Sequence, residues 1–246
     1  MMFEDSPIPS VPEGPRVLVV MAHPDDAEFG CGGTIARWAA AGKEVYYLLC
    51  TSGDKGSSDL TISTYRLAQT RRQEQINAAH ALGARDVTFL TYADGTLQNT
   101  LELRRDIVRE IRRIRPDTII CQDPTQRWAG NRGLNHPDHR AAGDACLDAV
   151  YPSARDPHVF VELLVENLLP HKVKEVFVSS MANANVWIDI TDCLDRKLEG
   201  LRQHESQVGA RWEELLPRLL ERSRALARAN NLPFEYAEGY KYLRLD

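Results

Sequence analysis

The sequence predicts a single α/β domain with a mostly parallel, Rossmann-like sheet flanked by helices. Short apolar, β-favouring runs alternate with longer helical stretches, as parallel strands joined by helical crossovers require. The first such run, residues 17–21, leads straight into a loop rich in histidine and carboxylates and then into a helix. That junction lies at the carboxyl end of a strand, where loops converge on one crevice. A chain of 246 residues, 43% of them apolar, is long enough for one such domain and its core.

Taken in order, residues 1–15 are proline-rich and read as an irregular lead-in, with the domain proper running from 16 to 246. After strand 17–21, residues 34–41 read as a helix that Gly42 ends, and 44–50 as a second strand. The polar stretch 51–64 is long for a passive connection, which points to a functional loop. Residues 66–82 form a helix closed by Gly83, and 86–90 a third strand. Residues 101–115 are amphipathic, apolar at Leu103, Ile107, Ile111 and Ile114, and stop at Pro116. A fourth strand, 118–121, precedes a second long polar loop, 122–135, which carries Trp128 either as a stacking platform or as a core anchor. Helix 141–150 follows, then a proline-broken segment, 151–171, with no assignable structure. Residues 175–180 and 185–190 read as two strands whose short connection suits a hairpin. Residues 192–208 and 211–229 are helical, and the tail, 234–245, is expected to pack on the mouth of the site or on another subunit.

The chemistry concentrates in two stretches. Ala22-His23-Pro24-Asp25-Asp26-Ala27-Glu28 follows the first strand, and Asn135-His136-Pro137-Asp138-His139 follows the fourth. A single His-Pro-Asp is an ordinary turn with a helix-capping aspartate. Two of them, each after a strand and before a helix, point instead to a metal site built from imidazole and carboxylate. Asp25 and Asp26 point in different directions, so one can bind metal while the other takes a proton. Glu28 either supports the cluster from behind or begins the helix. His204, on a helical stretch, reads as structural and outside the metal site.

These paired motifs resemble the LmbE/PIG-L family of metal-dependent de-N-acetylases, which includes diacetylchitobiose deacetylase and the N-acetylglucosaminyl deacetylases of mycothiol, bacillithiol and phosphatidylinositol-anchor synthesis. The resemblance extends to Thr51-Ser52-Gly53-Asp54-Lys55-Gly56, to Arg71 with Glu74, to Tyr92-Ala93-Asp94-Gly95 and to Arg115-Pro116-Asp117, and covers about residues 16–208. It implies zinc, with ferrous iron also accepted, on His23, Asp26 and His139. It further implies Asp25 as the base, His136 at the developing oxyanion with Asp138 orienting its ring, and Arg71 and Asp94 at the substrate. The implied reaction is hydrolysis of an acetamide on an N-acetylglucosaminyl conjugate, with an amidase cutting a larger thiol conjugate, or a non-catalytic carbohydrate-binding protein, as alternatives. The family also admits a homo-oligomer.

Composition narrows the classes further. The net charge of −5 argues against nucleic acid as a partner, since such proteins usually carry a basic patch. Gly30-Cys31-Gly32-Gly33 lacks the spacing of a dinucleotide-binding loop. Cys31, Cys50, Cys121, Cys146 and Cys193 are odd in number, with no Cys-x-x-Cys, and read as buried thiols. With no apolar run of membrane-spanning length and no visible signal peptide, a cytoplasmic enzyme is expected.

Overall fold

A computed structural model describes residues 10–128, 133–180 and 182–245. A seven-stranded sheet runs in the order β3-β2-β1-β4-β5-β7-β6. Strands β1 (Arg16–Met21), β2 (Glu44–Thr51), β3 (Asp86–Tyr92), β4 (Thr118–Gln122) and β5 (Glu175–Ser179) pair in parallel. Along β1 the side chains alternate between two cores. Leu18 and Val20 pack with Leu103, Ile107 and Ile111, whereas Val17, Val19 and Met21 pack with Ile35 and Trp38 on the other face. Burial on both faces is why β1 is apolar at successive positions rather than at every second one.

Because β1 lies between β2 and β4, the chain reverses its direction of winding there, and the crevice beyond the carboxyl ends of β1 and β4 is where such sheets bind ligands. Both His-Pro-Asp stretches open onto that crevice. The helices α1 (Asp26–Ala40), α2 (Thr64–Leu82), α3 (Leu101–Ile114) and α4 (Pro137–Asp148) flank the sheet. Helix α2 starts where Ser63 accepts a hydrogen bond from the Arg66 N–H, and stops where Gly83 turns left-handed at φ 86°.

Helices α1 and α4 begin eight and four residues earlier than the periodicity suggests, directly on the motifs. In α1 the early start is hidden by a break at Cys31, whose φ of −145° interrupts the helix. The groups freed by the break are met from distant chain. Glu238 accepts from the N–H groups of Gly33 (3.0 Å) and Thr34 (2.8 Å), and the Lys197 ammonium donates to Phe29 O (3.1 Å) and to Glu238 itself (2.5 Å).

Glu238 belongs to the tail, and here the expectation is corrected. Residues 237–244 form a strand, β7 (Ala237–Arg244), that pairs antiparallel with β5 and with β6 (Val186–Asp189). β5 and β6 therefore make no hairpin. The tail displaces that pairing because it brings Tyr240 into the core against Phe177, their ring centroids 5.7 Å apart. The unassigned segment holds a short helix, α5 (Glu162–Val165), and is pinned by the buried Arg112, which donates to the carbonyls of Ser153, Asp156 and Val159. The expected helix 192–208 is interrupted at His204, giving α6 (Leu194–Arg202) and α7 (Glu205–Val208) before α8 (Trp212–Ala229). All five cysteines are free and buried, and no helix among the described residues is long and apolar enough to cross a membrane.

Candidate active site

The loop after β1 is held in an unusual shape. Asp25 has φ 87° and ψ −24°, a left-handed conformation that costs a residue other than glycine about 1–3 kcal/mol. Helix α2 supplies what holds it there. Gln75 Oε1 accepts from the Asp25 N–H at 2.9 Å, and Arg71 Nη2 donates to Pro24 O at 2.6 Å and to Asp25 Oδ2 at 3.0 Å. The other arm of Arg71 donates to Gly53 O at 2.8 Å. Gly53 sits at φ 64°, and a Cβ there would lie 2.4 Å from Arg71 Nη1, so both backbone conformation and contact demand glycine.

One residue on, Asp26 points elsewhere and joins two imidazoles. Its Oδ2 lies 3.3 Å from His23 Nδ1 and its Oδ1 3.1 Å from His139 Nε2. The far nitrogen of each ring is occupied by a different partner. His23 Nε2 lies 3.0 Å from Asp94 Oδ1 and 3.3 Å from Asp138 Oδ2, and His139 Nδ1 lies 3.1 Å from Asn135 Oδ1. Each of these contacts is to an acceptor oxygen, so acceptors flank both rings on both sides. A neutral imidazole carries one N–H, so each ring can satisfy one side and turns a lone pair to the other. Neutral rings therefore leave the cluster short of positive charge.

The pKa shifts show the same shortage of positive charge, which a second proton on His23 would meet. Burial works against a charge on His23, yet the carboxylates of Asp26 and Asp94 raise its pKa to about 10. Burial would raise the Asp26 carboxyl as well, but His139 and His23 hold it well below the ordinary carboxylate range. Asp94 is brought to about 2 by His23 and the Lys55 N–H, again against burial. Asp25 goes the other way. Its burial pushes the carboxyl up to about 7, opposed by Arg71 and reinforced by Asp26.

His136 completes the group, with its ring centroid 4.7 Å from that of His23 and 5.4 Å from that of His139. It caps α4, its Nδ1 accepting from the Asp138 N–H at 3.2 Å. That bond puts the ring proton on Nε2 and keeps the imidazole neutral, and burial together with the neighbouring His23 lowers its pKa. The Asp138 carboxylate, expected to orient this ring, stands 3.8 Å from Nδ1. It accepts instead from the N–H groups of Gly95 (2.7 Å) and Leu97 (3.1 Å), and the Asp138 backbone does the orienting.

The structure thus brings together all eight residues that the family resemblance implies. Ligand atoms of His23, His136 and His139 lie within 4.8 Å of one another, as do those of His23, Asp94 and Asp138, so either trio could hold a metal ion. Arg71 and Asp94 are both buried, 4% and 5% exposed, with Arg71 held by protein groups through Nη1 and Nη2 and Asp94 by His23 and the Lys55 N–H. Trp128 is 64% exposed, which removes the core-anchor reading. Beside Asp26 and His139 opens a cavity of about 240 Å³ lined in part by Phe29, Gln122, Gln126 and Arg222. Sequence reasoning passed over Gln75, Asn135 and Lys55. The first two were traceable, since Gln75 lies one helical turn after Arg71 on the same face and Asn135 lies four residues before His139.

Comparison with known proteins extends this geometry. Residues 18–150 match the family model PIG-L, GlcNAc-PI de-N-acetylase. The chain is 36% identical over 232 residues to the diacetylchitobiose deacetylase of Thermococcus kodakarensis, covering 93% of this chain and 83% of the relative. It is 30% identical to a probable N-acetyl-α-D-glucosaminyl L-malate deacetylase 2 of Bacillus subtilis, covering 83% and 88%. Among solved structures, the N,N'-diacetylchitobiose deacetylase of Pyrococcus horikoshii, complexed with its inhibitor MPG, superposes with a TM-score of 0.86 at 29% identity, covering 94% of this chain and 85% of that one. By family match, relatives and fold alike, the chain belongs to the PIG-L de-N-acetylases.

Proposed function

We propose that the protein hydrolyses the acetamide of an N-acetylglucosaminyl compound, releasing acetate and the free amine. The observation that carries this reading is the division between neighbours. Asp26 lies between two imidazoles, on His23 Nδ1 and His139 Nε2, while Asp25, its carboxyl at about 7, stays outside that cluster under the hand of Arg71. The names of the relatives support the substrate class.

His23 through Nδ1, Asp26, and His139 through Nε2 would hold a divalent ion, for which zinc and ferrous iron both suit an imidazole and carboxylate set. Such an ion polarises a carbonyl oxygen and acidifies water. The remaining work belongs to side chains. Asp25, ionised, takes a proton from the attacking water as its oxygen bonds to the acetyl carbon, then returns that proton to the nitrogen as the C–N bond breaks. A base with a pKa near 7 serves both directions. His136, neutral with its proton on Nε2, donates to the oxyanion as it develops. Asp94, Asp138 and Asn135 fix the ring orientations of His23 and His139 from behind. The sugar and the group attached to it would enter by the cavity beside Asp26 and His139.

The test is acetate release from N-acetylglucosamine, diacetylchitobiose, and the malate and inositol conjugates of N-acetylglucosamine. The protein is assayed loaded with zinc, loaded with ferrous iron, and stripped by chelator. Release from at least one compound, lost on stripping, is expected. A loaded protein that binds these compounds without releasing acetate would instead be a carbohydrate-binding member of the family.

A further inference from the structure

Behind Asp25 the protein buries an amide, a carboxylate and an imidazole in one line. Gln75, Glu28 and His204 are all fully buried. Gln75 Oε1 accepts from the Asp25 N–H at 2.9 Å, Gln75 Nε2 donates to Glu28 Oε1 at 3.1 Å, and His204 Nε2 lies 3.1 Å from Glu28 Oε2. Each link dictates the next. Only the carbonyl oxygen of Gln75 can meet the Asp25 N–H, so its amino group must face Glu28, and a carboxylate there can accept from both sides. The turn carrying His204 is fastened to the same helix, since Ser206 donates both its N–H and its hydroxyl to Glu74, each at 2.7 Å.

We propose that His204 is a positioning residue, acting through Glu28 and Gln75 to hold the backbone of Asp25 in its left-handed conformation. Buried polar groups are no better than apolar packing as a source of stability, and replacing them with hydrophobic side chains of similar volume is often neutral. What the line secures is direction. It orients one N–H at the residue whose carboxyl must face the reacting water, and it ties the loop after β1 to the turn between α6 and α7, 176 residues away. Among the described residues His204 Nδ1 has no hydrogen-bond partner, and the ring's one side-chain hydrogen bond is to Glu28.

This inference rests on Asp25 as the base, and its test reads the backbone independently of turnover. In metal-loaded protein, hydrogen exchange at the Asp25 amide is followed by NMR, alongside kcat, KM and metal stoichiometry, for His204→Leu, His204→Gln and Gln75→Leu. Glutamine at 204 can present an N–H where the imidazole presents Nε2, whereas leucine cannot. His204→Leu and Gln75→Leu are expected to speed exchange at Asp25 at least about tenfold and to lower kcat about 10- to 100-fold, with KM and metal content within about twofold. His204→Gln is expected to restore both readings. Unchanged exchange in His204→Leu, or losses in kcat that His204→Gln fails to recover, would overturn the proposal. If exchange responds as expected while wild-type protein releases no acetate, positioning stands and the deacetylase reading fails.

Discussion

His23-Pro24-Asp25 and His136-Pro137-Asp138 share three letters, follow parallel strands and open helices, yet the structure exchanges their roles. In the first triplet the histidine is buried among carboxylates, and the aspartate sits in a left-handed conformation with its carboxyl at about 7. In the second the histidine is the helix cap, its side chain 42% exposed, and the aspartate is fully buried on two backbone N–H groups. The difference begins at the residue after proline. Asp138 enters α4 directly and turns its carboxylate inward to the β3–α3 loop, whereas Asp25 takes one left-handed step that lets Asp26 reach the histidines. The motif's letters specify a metal-site vocabulary, and backbone handedness assigns the parts.

Breaking the second motif at its last residue should have the largest effect. His139→Ala removes one of the two imidazoles facing Asp26, and zinc-loaded protein is expected to lose most of its bound metal and its acetate release together, read by elemental analysis and assay. Full metal content in that variant would take His139 out of the cluster. Asp138→Ala tests the permuted role of the second aspartate. It strands the Gly95 and Leu97 N–H groups, at about 1–3 kcal/mol each, so thermal or denaturant unfolding should show the loss. Wild-type stability would mean that this aspartate does not serve the fold. A smaller effect sharpens the first triplet. Arg71 stabilises the ionised form of Asp25, so Arg71→Met should raise the Asp25 pKa above about 7. Activity requiring the carboxylate is lost on the acid side, and the acid limb of the kcat profile should therefore move to higher pH. A limb that stays in place, or moves down, would detach Asp25 from that titration.

Much of this arrangement was legible in the residues. The parallel strands stood out as apolar runs, α2 and α3 announced themselves by helical pattern and by Gly83 and Pro116, and the family resemblance carried by the two motifs pointed to His23, Asp26 and His139. The starts of α1 and α4 were hidden because Pro-Asp and Gly-Cys-Gly-Gly read as loop. What restores helical order around Cys31 is Glu238, 205 residues from Gly33. The tail strand was missed for the same reason, since the alternation of Tyr240-Lys241-Tyr242 is short and follows a glycine, and the segment finds its place only between β5 and β6. Asn135, Gln75 and Lys55 are ordinary polar residues until the fold brings them to His139, Asp25 and Asp94. His204 looked structural, and its partner Glu28 makes it part of the support behind the site.

The central claim is that two adjacent aspartates divide the work, and the most direct measurement is metal stoichiometry and acetate release for Asp25→Ala and Asp26→Ala, prepared identically with zinc. The account predicts that Asp25→Ala keeps its metal and loses turnover by about 10²–10⁴-fold, while Asp26→Ala loses the metal itself. Metal lost from Asp25→Ala, or retained in full by Asp26→Ala, would contradict it.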